Sequence, residues 1–198
     1  MARYAGDQNQ VTFSYESGTY ASTSGAQQWI GLVQNSDIDD ATGVIPVRYV
    51  GTGDRNVDIW VDGPRDVTGT FNYFPQDWKL LGYALGSITD AGSPSPYTHA
   101  LEEVNSASGN AFTSGVMNPF LSFTVTDSQK GAATGQNFIR TAVGAMVDTW
   151  TLTASQGDLL QVEVNYRAQD SSFTSGALGA VTASTTRPFQ WSDVQVHK

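Results

Sequence analysis

The stretch VDTWTLTASQGDLLQVEVNYRAQD, residues 147–170, decides the fold, because a relative of it, VDIWVDGPRDVTGTFNYFPQD, has already occurred at residues 57–77. Val57, Asp58, Trp60, Asn72, Tyr73, Gln76 and Asp77 recur as Val147, Asp148, Trp150, Asn165, Tyr166, Gln169 and Asp170. In the later copy Leu160, Val162, Val164, Tyr166 and Ala168 alternate with Gln161, Glu163, Asn165, Arg167 and Gln169. A period of two sends the first set to one face of a sheet and the second to the other, so one face is dry and the other meets water or a partner. Across a turn-like SQGD, residues 145–154 put Met146, Trp150, Leu152 and Ala154 on one face and Thr149, Thr151 and Thr153 on the other. Asp148 is the misfit, falling on the apolar parity. The earlier copy reads the same way, as a hairpin around DGP in which Phe71 and Tyr73 are apolar and Thr68, Thr70 and Asn72 polar. There Trp60 opposes Val57, Ile59 and Val61, which asks for a bulge or for burial on both faces.

Working outward, residues 11–15 and 121–127 alternate as strands, and 44–50 is strand-like with Pro46 marking an edge or a strand start. WIGLV (29–33) is a short apolar run, and NSDIDDATG (35–43) reads as an acidic turn. Residues 75–86 form the expected helix, with Pro75 at its first position, Asp77 in its first turn, Gly86 as its stop, and Trp78, Leu81 and Leu85 along one face. PFQWSDVQV (188–196) is expected to be a final strand. The remainder reads as long loops at about 16–43, 87–118 and 171–187 within a single domain spanning 1–198. Loops of that length in a compact domain are functional or order on docking, which points to assembly.

Bulk properties narrow the classes of function. Cysteine is absent, so no disulfide framework or thiolate metal site is available. No stretch approaches the roughly 18 apolar residues of a membrane helix, and MARYAGDQNQ lacks the pattern of an export signal; the expectation is a soluble protein made without a leader. Nineteen acidic against ten basic residues give a formal charge of −9. Tight binding to a phosphate backbone needs several cations to displace counterions, and this chain does not supply them.

Chemistry finds little to work with. Only His99 and His197 exist, one in a presumed loop and one beside the terminus, and no GxSxG turn accompanies them. Asp37, Asp39 and Asp40 could offer oxygens to calcium, but the glycine and distal glutamate of a calcium loop are missing, and a solvated turn is the simpler reading. Asp58, Asp148 and Glu163 could supply paired carboxylates for glycoside hydrolysis, although strand spacing does not fix their separation. GTGDR (51–55) is not a phosphate-binding pattern. Trp29, Trp60 and Trp191 could stack on sugars, but packing in a core or interface is the commoner use of tryptophan. No catalytic residue, metal site or cofactor is assigned.

With these elements in place, GVIPVRYVGTGDRNVDIWVDGPRDVTGTFNYFPQDWKLLGYALG (43–86) and residues 147–170 resemble the major tail tube proteins of long-tailed viruses. The resemblance implies a mainly β fold: a β-sandwich or barrel of antiparallel strands with one flanking α-helix, whose two hairpins join a β-barrel shared between subunits. It implies hexameric rings stacked head to tail into a hollow tube through which viral DNA passes without specific binding, built in the host cytoplasm and carried in the virion. Tape measure, tail terminator and tail tip proteins are the implied partners. Under it, Thr68, Thr70, Asn72, Gln161, Glu163, Asn165 and Arg167 line the channel, and Val57, Asp58, Trp60, Tyr73, Val147, Asp148, Trp150 and Tyr166 belong to the assembling hairpins. The competing readings are a β-sandwich adhesin or carbohydrate-binding module, a glycosidase, and the tube protein of a contractile injection system.

Overall fold

A computed structural model describes residues 9–16, 20–22, 26–47, 59–91, 98–103, 122–130, 137–177 and 181–193. The elements are β1 (Asn9–Tyr15), β2 (Gln28–Trp29), β3 (Leu32–Val47), β4 (Ile59–Phe74), α1 (Lys79–Leu85), β5 (Gly86–Ala91), β6 (Thr98–Glu103), β7 (Phe123–Gln129), β8 (Asn137–Thr153), β9 (Gln161–Ala168) and β10 (Asp170–Gly176). Eight strands form one antiparallel sheet in the order β2-β1-β7-β8-β9-β4-β3, with β10 also beside β8, while β5 and β6 make a separate ribbon. Among the described residues no helix is long and apolar enough to cross a membrane.

Strand β8 organises this sheet. Its N-terminal half pairs with β7 and β10, its C-terminal half with β9. Between the halves the register slips twice, against β7 near Gly144 and against β9 at Asp148. Such bulges bend a strand and let it pass from one layer of a sandwich to the next. The first requires glycine: Gly144 has φ +67°, and a Cβ there would press on Tyr20 and Gln169. The buried Glu16 carboxylate holds this corner, accepting hydrogen bonds from Gly144 N and Thr124 Oγ1, each at 2.7 Å, and from Ala21 N at 2.9 Å.

The apolar faces of the two layers meet in one core. Phe13, Phe123, Val125 and Ala145 come from the β1–β7–β8 side, and Ile38, Val67, Phe71, Tyr73, Val162, Val164 and Tyr166 from β3, β4 and β9. Tyr166 joins them, with its ring 5.9 Å from Phe71 and 6.1 Å from Phe123. Each such aromatic contributes roughly 2–3 kcal/mol on leaving water. Helix α1 closes one side through buried Leu80 and Gly82, with Tyr83 packed 5.4 Å from Phe123.

Several sequence expectations are corrected. NSDIDDATG is the middle of β3, not a turn, because Ile38 anchors it in the core while Asp37 and Asp39 alternate outward. DGP is not a turn either: β4 runs straight through it, and the Gly63–Pro64 pair is accommodated by a register shift opposite Gly43. The first hairpin is therefore β3–β4, and Pro46 does lie on an edge strand. The expected loop at 16–43 thus contains most of β3; that at 87–118 contains the β5–β6 ribbon; that at 171–187 begins with β10, whose Ser and Thr continue the ladder of β9 past Gln169.

The helix starts at Lys79, since residues 75–78 are bound from outside: Pro75 O accepts Phe189 N at 3.1 Å, and buried Gln76 holds the carbonyls of Ser184 and Thr186 and the Trp29 Nε1–H. Its buried face carries Leu80 and Gly82, leaving Leu85 exposed. Over 188–193 of the expected final strand there is a single bridge, Leu159↔Gln190, and a 3-10 turn, Trp191–Asp193; residues 194–196 lie outside the described residues. The bulge at Asp148 places Met146 opposite Arg167, hence with the threonines rather than with Trp150. Val57, Asp58, GTGDR and His197 lie outside the described residues, and His99 falls in β6.

Candidate functional site

The two related segments are neighbours. Antiparallel pairing of β4 with β9 sets Thr68 opposite Arg167, Thr70 opposite Asn165 and Asn72 opposite Glu163. Directly opposed residues in an antiparallel pair share a face, so six of the seven polar positions expected on one face are brought together, and Gln161 continues the row. The alternate set, Val67, Phe71, Tyr73, Val162, Val164 and Tyr166, is buried behind them.

The polar face is wider than the sequence reading allowed. On one side β3 adds Asn35, Asp37 and Asp39, paired with Asn72, Thr70 and Thr68; on the other β8 adds Thr149, Thr151 and Thr153, paired with Asn165, Glu163 and Gln161. The β3 contribution was missed because one isoleucine among acids does not look like a strand; the period of Asn35, Asp37 and Asp39 around Ser36, Ile38 and Asp40 was the available signal. The face is knitted laterally by Asn165 Nδ2 donating to Thr149 Oγ1 at 2.8 Å and Gln161 Nε2 donating to Gln34 Oε1 at 2.8 Å. Arg167 lies 3.9 Å from Asp66. A shallow depression over its middle is lined by Asp37, Asp39, Asp148, Thr70 and Arg167 among others. Acids outnumber bases here, with Asp37, Asp39, Asp66, Asp148 and Glu163 against Arg167.

Asp40 stands apart from Asp37 and Asp39. Strand alternation turns it to the opposite side, where Arg65 Nε donates to its Oδ1 at 2.8 Å, Arg65 Nη2 bonds its Oδ2, and Ser171 Oγ donates to it at 2.6 Å. The same guanidinium bonds Asp170 and the Ser171 carbonyl, so one side chain ties β3, β4 and β10 together. Hydrogen bonding from Arg65, then from Ser171, holds the Asp40 carboxyl well below the usual carboxylate range. The three acids do not converge, and among the described residues no cluster of His, Asp and Glu could hold a metal ion.

The hairpin positions fall in three environments. Tyr73 and Tyr166 are core residues, and burial pushes both phenols far up. Val147 and Trp150 are half-buried against the core, Trp150 tilted 6.5 Å from Trp78. Asp148 is the bulged residue, and Trp60 is 65% exposed.

Among the described residues, the four strands β8, β9, β4 and β3 present one broad polar face, an apolar back and, at each side, a strand edge without a partner along the C-terminal half of β8 and along β3. The chain belongs to the phage tail tube protein family, whose model matches residues 6–196. It is thus a structural protein of a viral tail tube, part of the virion tail. A comparison with curated proteins found no match. Among solved structures the chain is similar to the SPP1 tail tube, at TM-score 0.45 and 11% identity over 89% of this chain and 81% of that one. It is also similar to a chain of the sheath–tube complex of the extracellular contractile injection system PVC, at TM-score 0.45 and 12% identity over 84% and 88%. A third is a chain of the anti-feeding prophage baseplate, at TM-score 0.34 and 8% identity over 84% and 92%.

Proposed function

We propose that copies of this chain close edge to edge into hexameric rings, that the rings stack into the tail tube, and that viral DNA slides along the polar face. The observation that carries the reading is the four-stranded sheet whose two edges are both open among the described residues. Its strands alternate strictly, so β3 and the C-terminal half of β8 run in opposite directions. When β3 of one copy meets β8 of the next, the new pair is again antiparallel, and the pattern repeats without a seam. Closing also removes edges that would otherwise template aggregation.

Six such sheets give a barrel of 24 strands; at about 4.8 Å between strands and a tilt of about 40°, its backbone diameter is roughly 50 Å, wider than a DNA duplex with side chains allowed for. Thr68, Thr70, Asn72, Gln161, Glu163, Asn165 and Arg167 then line the bore, with the threonines of β8 and the acids of β3. Such a lining offers phosphates almost no cations to exchange for counterions, so DNA is guided without being held. The protein performs no catalysis; tape measure, terminator and tip proteins meet the ends of the tube, which is assembled in the host cytoplasm. Electron microscopy of the purified protein tests this: rings or hollow polymers are expected, and a chain that stays monomeric at high concentration refutes it.

A further inference from the structure

Where the body layer (β1, β7, β10 and the first half of β8) meets the wall (β3, β4, β9 and the rest of β8), both inner faces turn from apolar to polar. On the body side the fully buried Val125 and Ala142 are followed, two residues along, by Asp127 and Arg140, which oppose each other across the β7–β8 ladder. On the wall side Ile38 is buried, and strand alternation puts Ser36 and Asp40 beside it on the same face of β3. Tyr166 enters this region from β9. Gly69 lies between Tyr166 and Ile38 in register, and the phenol crosses that glycine with its hydroxyl against the place a Cβ would take.

Polar groups from β3, β7, β8 and β9 are thus gathered between the layers, and the protein leaves several of them unserved. The Tyr166 hydroxyl, Ser36 Oγ and Arg140 Nε are each buried without a hydrogen-bond partner among the described residues. Tyr166 is 1% exposed, so its O–H does not reach bulk solvent. Asp127 stands among them. Burial raises its carboxyl, with Arg140 acting against the shift, and Tyr166 feels the charges of Asp127 and Arg140. Ser36 Oγ comes near Asp127 without reaching hydrogen-bonding geometry. Leaving several such groups dry would cost a large share of a domain's stability.

Water has a way in. A cleft of about 300 Å³ opens between β1 and β7 on one side and the start of β3 on the other, lined by Asp127 and Ser36 together with Val11 and Gln129. That is room for several waters, and buried polar atoms that the protein does not pair are bonded to such waters in native folds.

We propose that the inner end of this cleft is a hydration site, where ordered water bridges the Asp127 carboxylate and the Ser36 hydroxyl to Arg140 Nε and the Tyr166 hydroxyl, joining the body layer to the wall. Water is the ligand that the donor set selects. An ionised carboxylate only accepts, Nε–H only donates, and a hydroxyl does either, so the occupant must donate and accept at once. It must also be neutral, since an anion would meet Asp127 and a cation would meet Arg140 out of bulk solvent. The wall is then fastened to the body in two ways, by dry aromatic packing through Phe71, Tyr166 and Phe123 and by a wet joint at β3. This inference holds for the single chain and does not rest on the tube reading.

Tyr166→Phe and Ser36→Ala each delete one hydroxyl and leave the packing in place. If water bridges them, each variant loses a bond, and the urea midpoint of the dilute monomer should fall by about 0.5 M in each. The two hydroxyls do not bond each other, yet the double variant should fall by less than the sum, because the second hydroxyl is taken from a water already released. A midpoint that rises in Tyr166→Phe would show the hydroxyl to be dry, and strictly additive losses would show that no water is shared; either result overturns the site. So would a midpoint higher in chloride than in fluoride at constant ionic strength and lost in Tyr166→Phe, which would give the position to an anion.

Discussion

Gly69 sits at the centre of β4, and replacing it with alanine should damage the wall far beyond the addition of one methyl group. Gly69 faces Tyr166 across the β4–β9 ladder, and Tyr166 occupies the space that a side chain on residue 69 would need. A Cβ there would overlap the end of the tyrosine ring and lie 2.8 Å from the Asp37 carbonyl oxygen on β3. The ring is 1% exposed and wedged between Phe71 and Phe123, so it has nowhere to move without opening the core. Overpacking of this kind costs about 1–3 kcal/mol, and partial expulsion of an aromatic adds about as much again, so the expected loss is about 3 kcal/mol. With an m-value of about 2 kcal/mol/M for a domain of this size, the urea midpoint of the dilute monomer, followed by tryptophan fluorescence, should fall by roughly 1.5 M. In a Tyr166→Ala background the same substitution should add no more than about 1 kcal/mol, giving a coupling of about 2 kcal/mol. Equal losses in both backgrounds would refute the argument that the ring is what the methyl displaces, and an unshifted midpoint would refute the packing itself.

Glu16→Gln should lower the unfolding free energy by about 1–3 kcal/mol, because the amide must turn its NH2 either toward Ala21 N or toward the Gly144 and Thr124 donors; thermal melts of the two forms will show it. Asp40 has its pKa depressed in the fold, so its contribution is complete above the ordinary carboxylate value of about 3.9 and disappears as pH falls through the depressed one. Arg65→Ala should therefore flatten the acid limb of the stability profile, measured by urea unfolding at stepped pH. Burial raises the phenols of Tyr73, Tyr83 and Tyr166, so the unfolded chain loses protons first and stability should decline once pH passes about 10, with phenolate absorbance appearing only as the protein unfolds.

What could be read from the chain was the part where pattern and pairing agree. Residues 160–168 alternate so regularly that their dry and wet faces are legible, and the repeat gives Thr70 and Asn72 the polar parity of Glu163 and Asn165; that β4 and β9 lie side by side, with Thr70 opposite Asn165 and Asn72 opposite Glu163, is not in the pattern. Pairing without pattern was illegible. Residues 35–43 are strand only because β4 lies beside them, and Gly63–Pro64 looks like a turn until the flanking strands hold it straight. Asp148 showed as a parity error, which is how a bulge presents itself in one dimension, but the sequence does not say which way the strand bends afterwards. Arg65 and Glu16 do not stand out in the sequence, since Asp170 and Gly144, which complete their networks, lie more than a hundred residues away along the chain.

One backbone, β8, belongs first to the body of the protein and then to its polar wall. In the proposed ring, strain along the circumference would be borne by a polypeptide whose other half is stitched into the interior on both flanks, where ladder bonds resist in parallel rather than unzipping one by one. A conduit assembled from such units would bend or stretch by tilting whole subunits, and its lining could not peel away while the folds behind it survived.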